Sequence, residues 1–293
     1  MGWIIATLIA AVAQTGRNAA QRHLTTQIGT MGATAVRFLF GLPFALIFLA
    51  ALSLWVELPR PDLSVLGWAA LGAMAQIGAT ALMLQTMNLR GFGVVTALIK
   101  TEPVTLAVIG AVLLAEPLGA ARMAAITVAT FGVVMMSGVN WRQGGWQPIA
   151  MGVAAGLLFG LSSIGFRGAI LALPFGDYLT RASTVLAMSL IMQTGIVLGW
   201  LLMADRPALQ GIRRHWRDSL GAGFLGAFAS LFWFLGFAMT SAANVRTLAL
   251  IEVPLAQLVS GRIFRQKTSG RQLAGMGLIV LGVAALIAVS ARG

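Results

Sequence analysis

Ten apolar stretches follow one another along the chain, each close to 20 residues long and separated by short polar breaks: Trp3–Gln21, Met31–Val56, Leu66–Asn88, Gly93–Ala115, Ala120–Val139, Pro148–Leu171, Tyr178–Met203, Leu220–Met239, Ala243–Gly261 and Leu273–Ser290. A bilayer core about 30 Å thick is crossed by about 20 helical residues. The pattern therefore predicts an all-α membrane protein of ten transmembrane helices, with no room for a soluble domain. The breaks carry turn-forming and charged residues, as in ELPRPDLS after the second stretch, NWRQGGWQP after the fifth and DRPALQGIRRHWRDS after the seventh, and they are read as connections. Seven tryptophans (Trp3, Trp55, Trp68, Trp141, Trp146, Trp200 and Trp216) fall at or near predicted ends, the headgroup level that an indole ring prefers. Trp233 alone lies deep within a span.

Composition agrees with this pattern: 58% of the 293 residues are apolar and 10% charged, which is the balance of a membrane protein. A net charge of +12 raises the question of nucleic acid, but the basic residues are spread over the connections and form neither a basic face nor a reading motif. Sorting them by side gives the charge another meaning. Alternate connections hold Arg22, Arg90, Arg142, Arg206, Arg213, Arg214, Arg217, Arg262, Arg265, Lys267 and Arg271, whereas the opposite side holds Arg60, Arg122 and Arg292. The positive-inside rule then predicts a multi-pass protein of a bacterial-type inner (plasma) membrane with both termini outside. The first stretch lacks a charged leader and a clear cleavage site and is read as a spanning helix.

Catalytic chemistry finds no foothold in the sequence. Cysteine is absent, His23 and His215 lie in connections, and there is neither a Gly-x-Ser-x-Gly elbow nor a phosphate-cradling loop. The expectation is a protein that is not an enzyme, with no cofactor and no metal: a carrier, or else a channel or structural membrane subunit.

Displacing the sequence against itself by 151 residues superposes Gly72 on Gly223, Leu84 on Leu235, Val94 on Val245, Thr96 on Thr247, Pro103 on Pro254, Gly110 on Gly261 and Gly119 on Gly270. Arg17 meets Arg167 at an offset of 150, and Arg37 meets Arg181 across a shorter loop. The chain thus reads as two repeats, residues 1–140 and 146–293, of five helices each. An odd number makes the second copy enter the membrane from the opposite side. Inverted repeats are a signature of transporters that alternate access around a midplane site; a duplication that merely enlarges a helix bundle is the alternative.

The passages EPVTLAVIGAVLLAEPLGAARMAAITVATFGVVMMSG and AVRFLFGLPFAL, with the repeat of five helices, resemble the EamA branch of the drug/metabolite transporter superfamily over the whole chain. YddG-type amino acid exporters are the nearest functional relatives within it. The resemblance implies a monomeric exporter of small metabolites, foremost amino acids including aromatic or bulky apolar ones, with other metabolites or drugs such as sugars and cations as alternatives. In the second repeat RQKTSG stands where the first has AEPLG, so a role tied to that acidic loop does not carry over. Energy coupling is left open between proton coupling and facilitated exchange.

Charged residues inside spans are costly, roughly 2.5–3.5 kcal/mol each at the membrane centre, and therefore mark candidate sites. Lys100, Glu102 and Glu252 lie deepest. Lys100 and Glu102 are two positions apart and point to nearly opposite sides of a helix, so they are expected to choose different partners. Lys100 is expected to face Glu252 across a cavity, where the two would complement a zwitterion, and Glu102 to pair with Arg17 or Arg167. Arg17, Arg37 and Arg181 lie near predicted span ends, from which a long stem can snorkel or anchor. Arg246, one turn inside the ninth span, fits either a structural or a functional role. Pro103 and Pro254 are expected to bend their helices as hinges, Pro43 to produce only a kink. Gln14 and Gln76 are polar candidates in the first and third spans, and Trp233 with its phenylalanine neighbours is either packing or an apolar wall for a bulky side chain. Gly152, Gly156 and Gly160 form an edge read as packing.

Overall fold

A computed structural model describes residues 2–89, 95, 98–136, 146–254 and 269–291. The start of the predicted fourth span, Trp141, the far half of the predicted ninth span with Gly261, and Arg90, Arg142, Arg262, Arg265, Lys267 and Arg292 lie outside the described residues. The described chain is helical throughout: α1 (Gly2–Leu39), α2 (Gly41–Ser53), α3 (Leu63–Leu89), α4 (Glu102–Leu114), α5 (Ala120–Met136), α6 (Gln147–Ala172), α7 (Tyr178–Ala204), α8 (Arg206–Arg214), α9 (Trp216–Met239), α10 (Ala242–Leu248), a 3₁₀ turn (Ala249–Ile251) and α11 (Gly270–Ser290). Among the described residues six stretches are long and apolar enough to cross a membrane; α4 and α5 are shorter apolar helices.

The first of the six, Gly2–Ser53, holds 52 residues, far more than one crossing needs. Gly29 divides it, with φ 72° and ψ 171°, a backbone that a side chain would resist. Gln21 donates to the Ala33 carbonyl at 2.8 Å. Twelve positions along a straight helix would separate these groups by about 18 Å, so the chain doubles back at Gly29 and α1 is a hairpin of two arms. The second arm continues past Phe40 into α2. The interruption at Phe40 has its cause in Pro43, which offers no N–H to a preceding carbonyl and crowds the turn before it.

The connection after the seventh stretch departs from its reading as a loop, because Arg206–Arg214 forms the helix α8. Asp205 caps it, accepting from the Ala208 N–H at 3.1 Å, and Arg213 and Arg214 occupy its last turn. Both ends suit the helix dipole. Ala208 and Ile212 are buried, and Gly211 lies against Ile28, so α8 sits on the turn of α1. The pattern of apolar residues did not reveal it because a nine-residue interfacial helix leaves its polar face wet and has no long hydrophobic run.

Three helix pairs form the frame: α1 with α9, α3 with α6, and α5 with α11. Small residues permit their close approach, as where Gly132 and Gly275 meet backbone to backbone. Trp55, Trp146 and Trp216 are exposed near helix ends, whereas Trp233 is buried in α9.

Candidate functional site

The predicted fourth and ninth spans are both interrupted in their middle. In the fourth, Lys100 and Thr101 form a turn and a new helix, α4, starts at Glu102. Pro103 occupies the first turn of that helix, where a missing N–H costs nothing. The expected proline hinge is therefore corrected: the break precedes Pro103, which starts a helix and does not bend one. In the ninth, α10 tightens into the 3₁₀ turn Ala249–Ile251 just before Glu252 and Pro254. Gly156 in α6 faces the first break, and a Cβ there would stand 3.1 Å from the Ile99 carbonyl oxygen. The glycine edge of α6 thus admits the backbone that precedes Lys100.

The ionic groups at these breaks form three pairs. Lys100 bonds directly to Glu252, so the two residues expected to face each other across a cavity are in contact. Arg246 lies 3.4 Å from Glu102, donates to Ser163 at 3.2 Å and covers the Trp233 ring at 4.3 Å. Arg167 bonds to Glu116 and to the Phe237 carbonyl.

This arrangement corrects the partners expected for Glu102. Neither Arg17 nor Arg167 reaches it. Arg167 is taken by Glu116 because the chain reverses at Ala115, in left-handed backbone with φ 51°, and carries Glu116 back along α4. A Cβ at Gly110 would meet the Glu116 Oε2 at 2.9 Å, so the glycine leaves room for that carboxylate. Arg17 forks instead onto its neighbour Asn18, with Nη2 2.6 Å from Oδ1, and makes no ion pair among the described residues.

Arg17 and Arg37 also do not snorkel. The first arm of α1 continues well beyond the predicted end, so Arg17 is 1% exposed and Arg37 2%. Arg37 donates to Thr80 at 3.2 Å and to Ser230 at 3.4 Å. Arg181, its match in the second half, stays local and donates to the Gly176 carbonyl at 2.9 Å.

The polar candidates fall into two sets. Trp233 Nε1 donates to Gln14 at 2.9 Å, joining α9 to α1 and leaving the indole face to Arg246. Gln76 accepts from Gln193 at 2.8 Å, joining α3 to α7. Arg246 and Glu116 were the residues least legible beforehand, the first because either role fitted it and the second because it lies in a connection. Depth alone marks neither; the partner does. Among the described residues no three of His, Asp and Glu gather as a metal site would require.

Apolar helices, an ionic centre at interrupted spans and packing through small residues define a multi-pass membrane protein built to handle a small solute. The profile of the EamA-like transporter family matches residues 1–138 and again 146–288, and the chain belongs to that family. Among 29 solved chains with similar structure, one crystal structure superposes with a TM-score of 0.65 over 97% of this chain and 98% of its own, at 18% identity; this likeness concerns the fold. No curated protein sequence matches the chain.

Proposed function

We propose that the chain is a secondary carrier, not an enzyme, that exports amino acids with aromatic or bulky apolar side chains by alternating access between two inverted five-helix halves, residues 1–140 and 146–293. The observation that carries this reading is the pairing of the two interrupted spans. The 151-residue offset superposes Lys100 on Ile251 and Thr101 on Glu252, and Lys100 at one break bonds Glu252 at the other. An ion pair largely withdrawn from water loses its compensation when its two segments part, unless a solute with opposite charges enters between them. A zwitterion supplies both charges.

The repeat has support from packing. Exchanging the halves turns the α3–α6 pair, third and sixth spans, into the eighth and first, which is the α1–α9 pair. The family profile also matches the chain twice. Ten spans follow if the fourth and ninth are counted across their breaks. The basic helix α8 lies on the turn of α1, so two arginine-bearing connections share one side, and this supports reading that side as the cytoplasmic one of a bacterial-type inner membrane. Trp233 and Phe237, with ring centroids 6.4 Å apart, supply an apolar wall beside Arg246. One copy of the chain contains the whole arrangement, so the carrier works as a monomer.

Reconstitution in liposomes tests the reading. Labelled phenylalanine or leucine should show saturable flux stimulated by unlabelled amino acid on the far side, and Lys100→Gln and Glu252→Gln should each reduce it by about two orders of magnitude if transport depends on roughly 2.7 kcal/mol of ionic interaction. Flux linear in concentration, or unchanged in both variants, would overturn the proposal.

A further inference from the structure

The chain has 8 acidic residues, all of them described. Glu57, Asp62, Asp177, Asp205 and Asp218 lie in connections or at helix starts. Glu252, Glu102 and Glu116 lie inside, and they are taken one for one by Lys100, Arg246 and Arg167. Among the described residues two interior cations are left over, Arg17 and Arg37, buried to within 2% of full enclosure. Their partners Asn18, Thr80 and Ser230 are neutral, and Nη1 of Arg17 has no hydrogen-bond acceptor.

The two arginines converge. Gly226 of α9 faces both, so that a Cβ there would meet Arg37 Cγ at 3.2 Å and Arg17 Cδ at 3.5 Å. Each stands within electrostatic range of Arg246, and Arg17 also within range of Glu252 of the central pair. The repeat explains why no carboxylate answers them. Glu116 of the first half serves Arg167 of the second; at the 151-residue offset the counterpart of Glu116 in the sequence is Lys267, so the repeat keeps the arginine at position 17 but not the acid. Two like charges out of water, with Glu252 in range of Arg17 but engaged by Lys100, are unfavourable, and a guanidinium fork matches a carboxylate with two parallel hydrogen bonds.

We infer that Arg17 and Arg37 first capture the carboxylate of the solute, before it parts Lys100 from Glu252, so that the protein binds monocarboxylates and zwitterions and rejects solutes that carry an amine alone. The inference rests on the carrier reading and adds the anchor that decides substrate charge. The paired Lys100 and Glu252 report on opening, whereas the surplus arginines report on what is held.

Three solutes built on one ring separate the charges: 3-phenylpropanoate has the carboxylate alone, phenylalanine both groups, phenethylamine the ammonium alone. In proteoliposomes of the full chain, 3-phenylpropanoate should inhibit phenylalanine exchange at least about tenfold more strongly than phenethylamine. Arg17→Gln and Arg37→Gln should abolish that preference, and Arg37→Lys, which keeps the charge, should retain part of it. Thermal unfolding in detergent gives an independent readout. 3-Phenylpropanoate should raise the melting temperature of the wild type but not of Arg17→Gln, and without ligand the glutamine variants should melt no lower than the wild type, since they remove an uncompensated charge.

Equal inhibition by phenethylamine, survival of the preference in both glutamine variants, or a lowered melting temperature in both without ligand would overturn the carboxylate seat, and saturable exchange would then leave the carrier standing. Stabilisation by 3-phenylpropanoate without saturable exchange of any of the three solutes would keep the seat and defeat the carrier.

Discussion

Arg246 joins an acid, a hydroxyl and an indole face: Glu102 at 3.4 Å, Ser163 at 3.2 Å and Trp233 at 4.3 Å. Its guanidinium presents several N–H donors in one plane and a face for stacking, which a lysine would not reproduce. The pair it makes with Glu102 is buried on both sides, so removing one member strands the other charge. Arg246→Gln alone should lower stability by about 3–5 kcal/mol, while Arg246→Gln combined with Glu102→Gln should recover most of the loss. Thermal unfolding of the two single variants and the double variant measures this; additive losses would show that the two residues act separately. The sequence exposed both residues as buried charges but paired Glu102 with the wrong arginines, because the rotation of one helix against another is not written in the local pattern of either.

Helix boundaries decide where polar groups stand in the membrane. Asp177 ends the polar turn before α7 and accepts from the Thr180 N–H at 2.7 Å. Hydrogen bonds from the Thr180 side chain and backbone hold its carboxyl below the usual range. The folded protein thus prefers the ionised form, so the cap's contribution is complete above about pH 4 and fades as pH falls through the lowered value. Asp177→Ala should cost about 1 kcal/mol near neutral pH, and Asp177→Asn, which keeps the acceptor, much less. Melting curves at neutral and acidic pH distinguish the two, and an alanine variant as stable as the wild type would exclude the cap. α11 is opened by a Ser269–Gln272 capping box that is visible in the sequence as Ser-x-x-Gln. The reversal between the first two spans was visible as the polar stretch between Gln21 and Met31, but not its placement at Gly29, because glycine is equally at home inside a membrane helix; the helix α8 was not visible for lack of an apolar run.

At the scale of the whole molecule, the proposed mechanism depends on topology, since only an inverted second half would make two alternating conformations equivalent. The absence of cysteine from the chain makes a thiol-labelling test simple. Single substitutions Arg60→Cys and Arg213→Cys should react with a membrane-impermeant maleimide from opposite sides of intact cells, Arg60→Cys from outside and Arg213→Cys only after the membrane is opened. The reverse labelling would invert the orientation read from the arginine distribution, and labelling of both from one side would break the predicted count of spans between them.

The sequence by itself determined the solvent in which this protein folds, the family resemblance and which residues carry charge into the apolar interior, because these follow from composition and from properties that each segment has alone. Hydropathy shows that Lys100, Glu102 and Arg246 lie inside; it shows neither their neighbours nor the enclosure of Arg17. Only the tertiary structure decided that Glu102 meets Arg246, that Glu116 returns from a connection to Arg167, and that Arg17 and Arg37 converge on Gly226 without a carboxylate. The physical reason is that a membrane helix fixes depth through its local sequence, at 1.5 Å per residue, whereas its azimuth and its partners depend on how its small and large side chains fit those of helices distant in the chain.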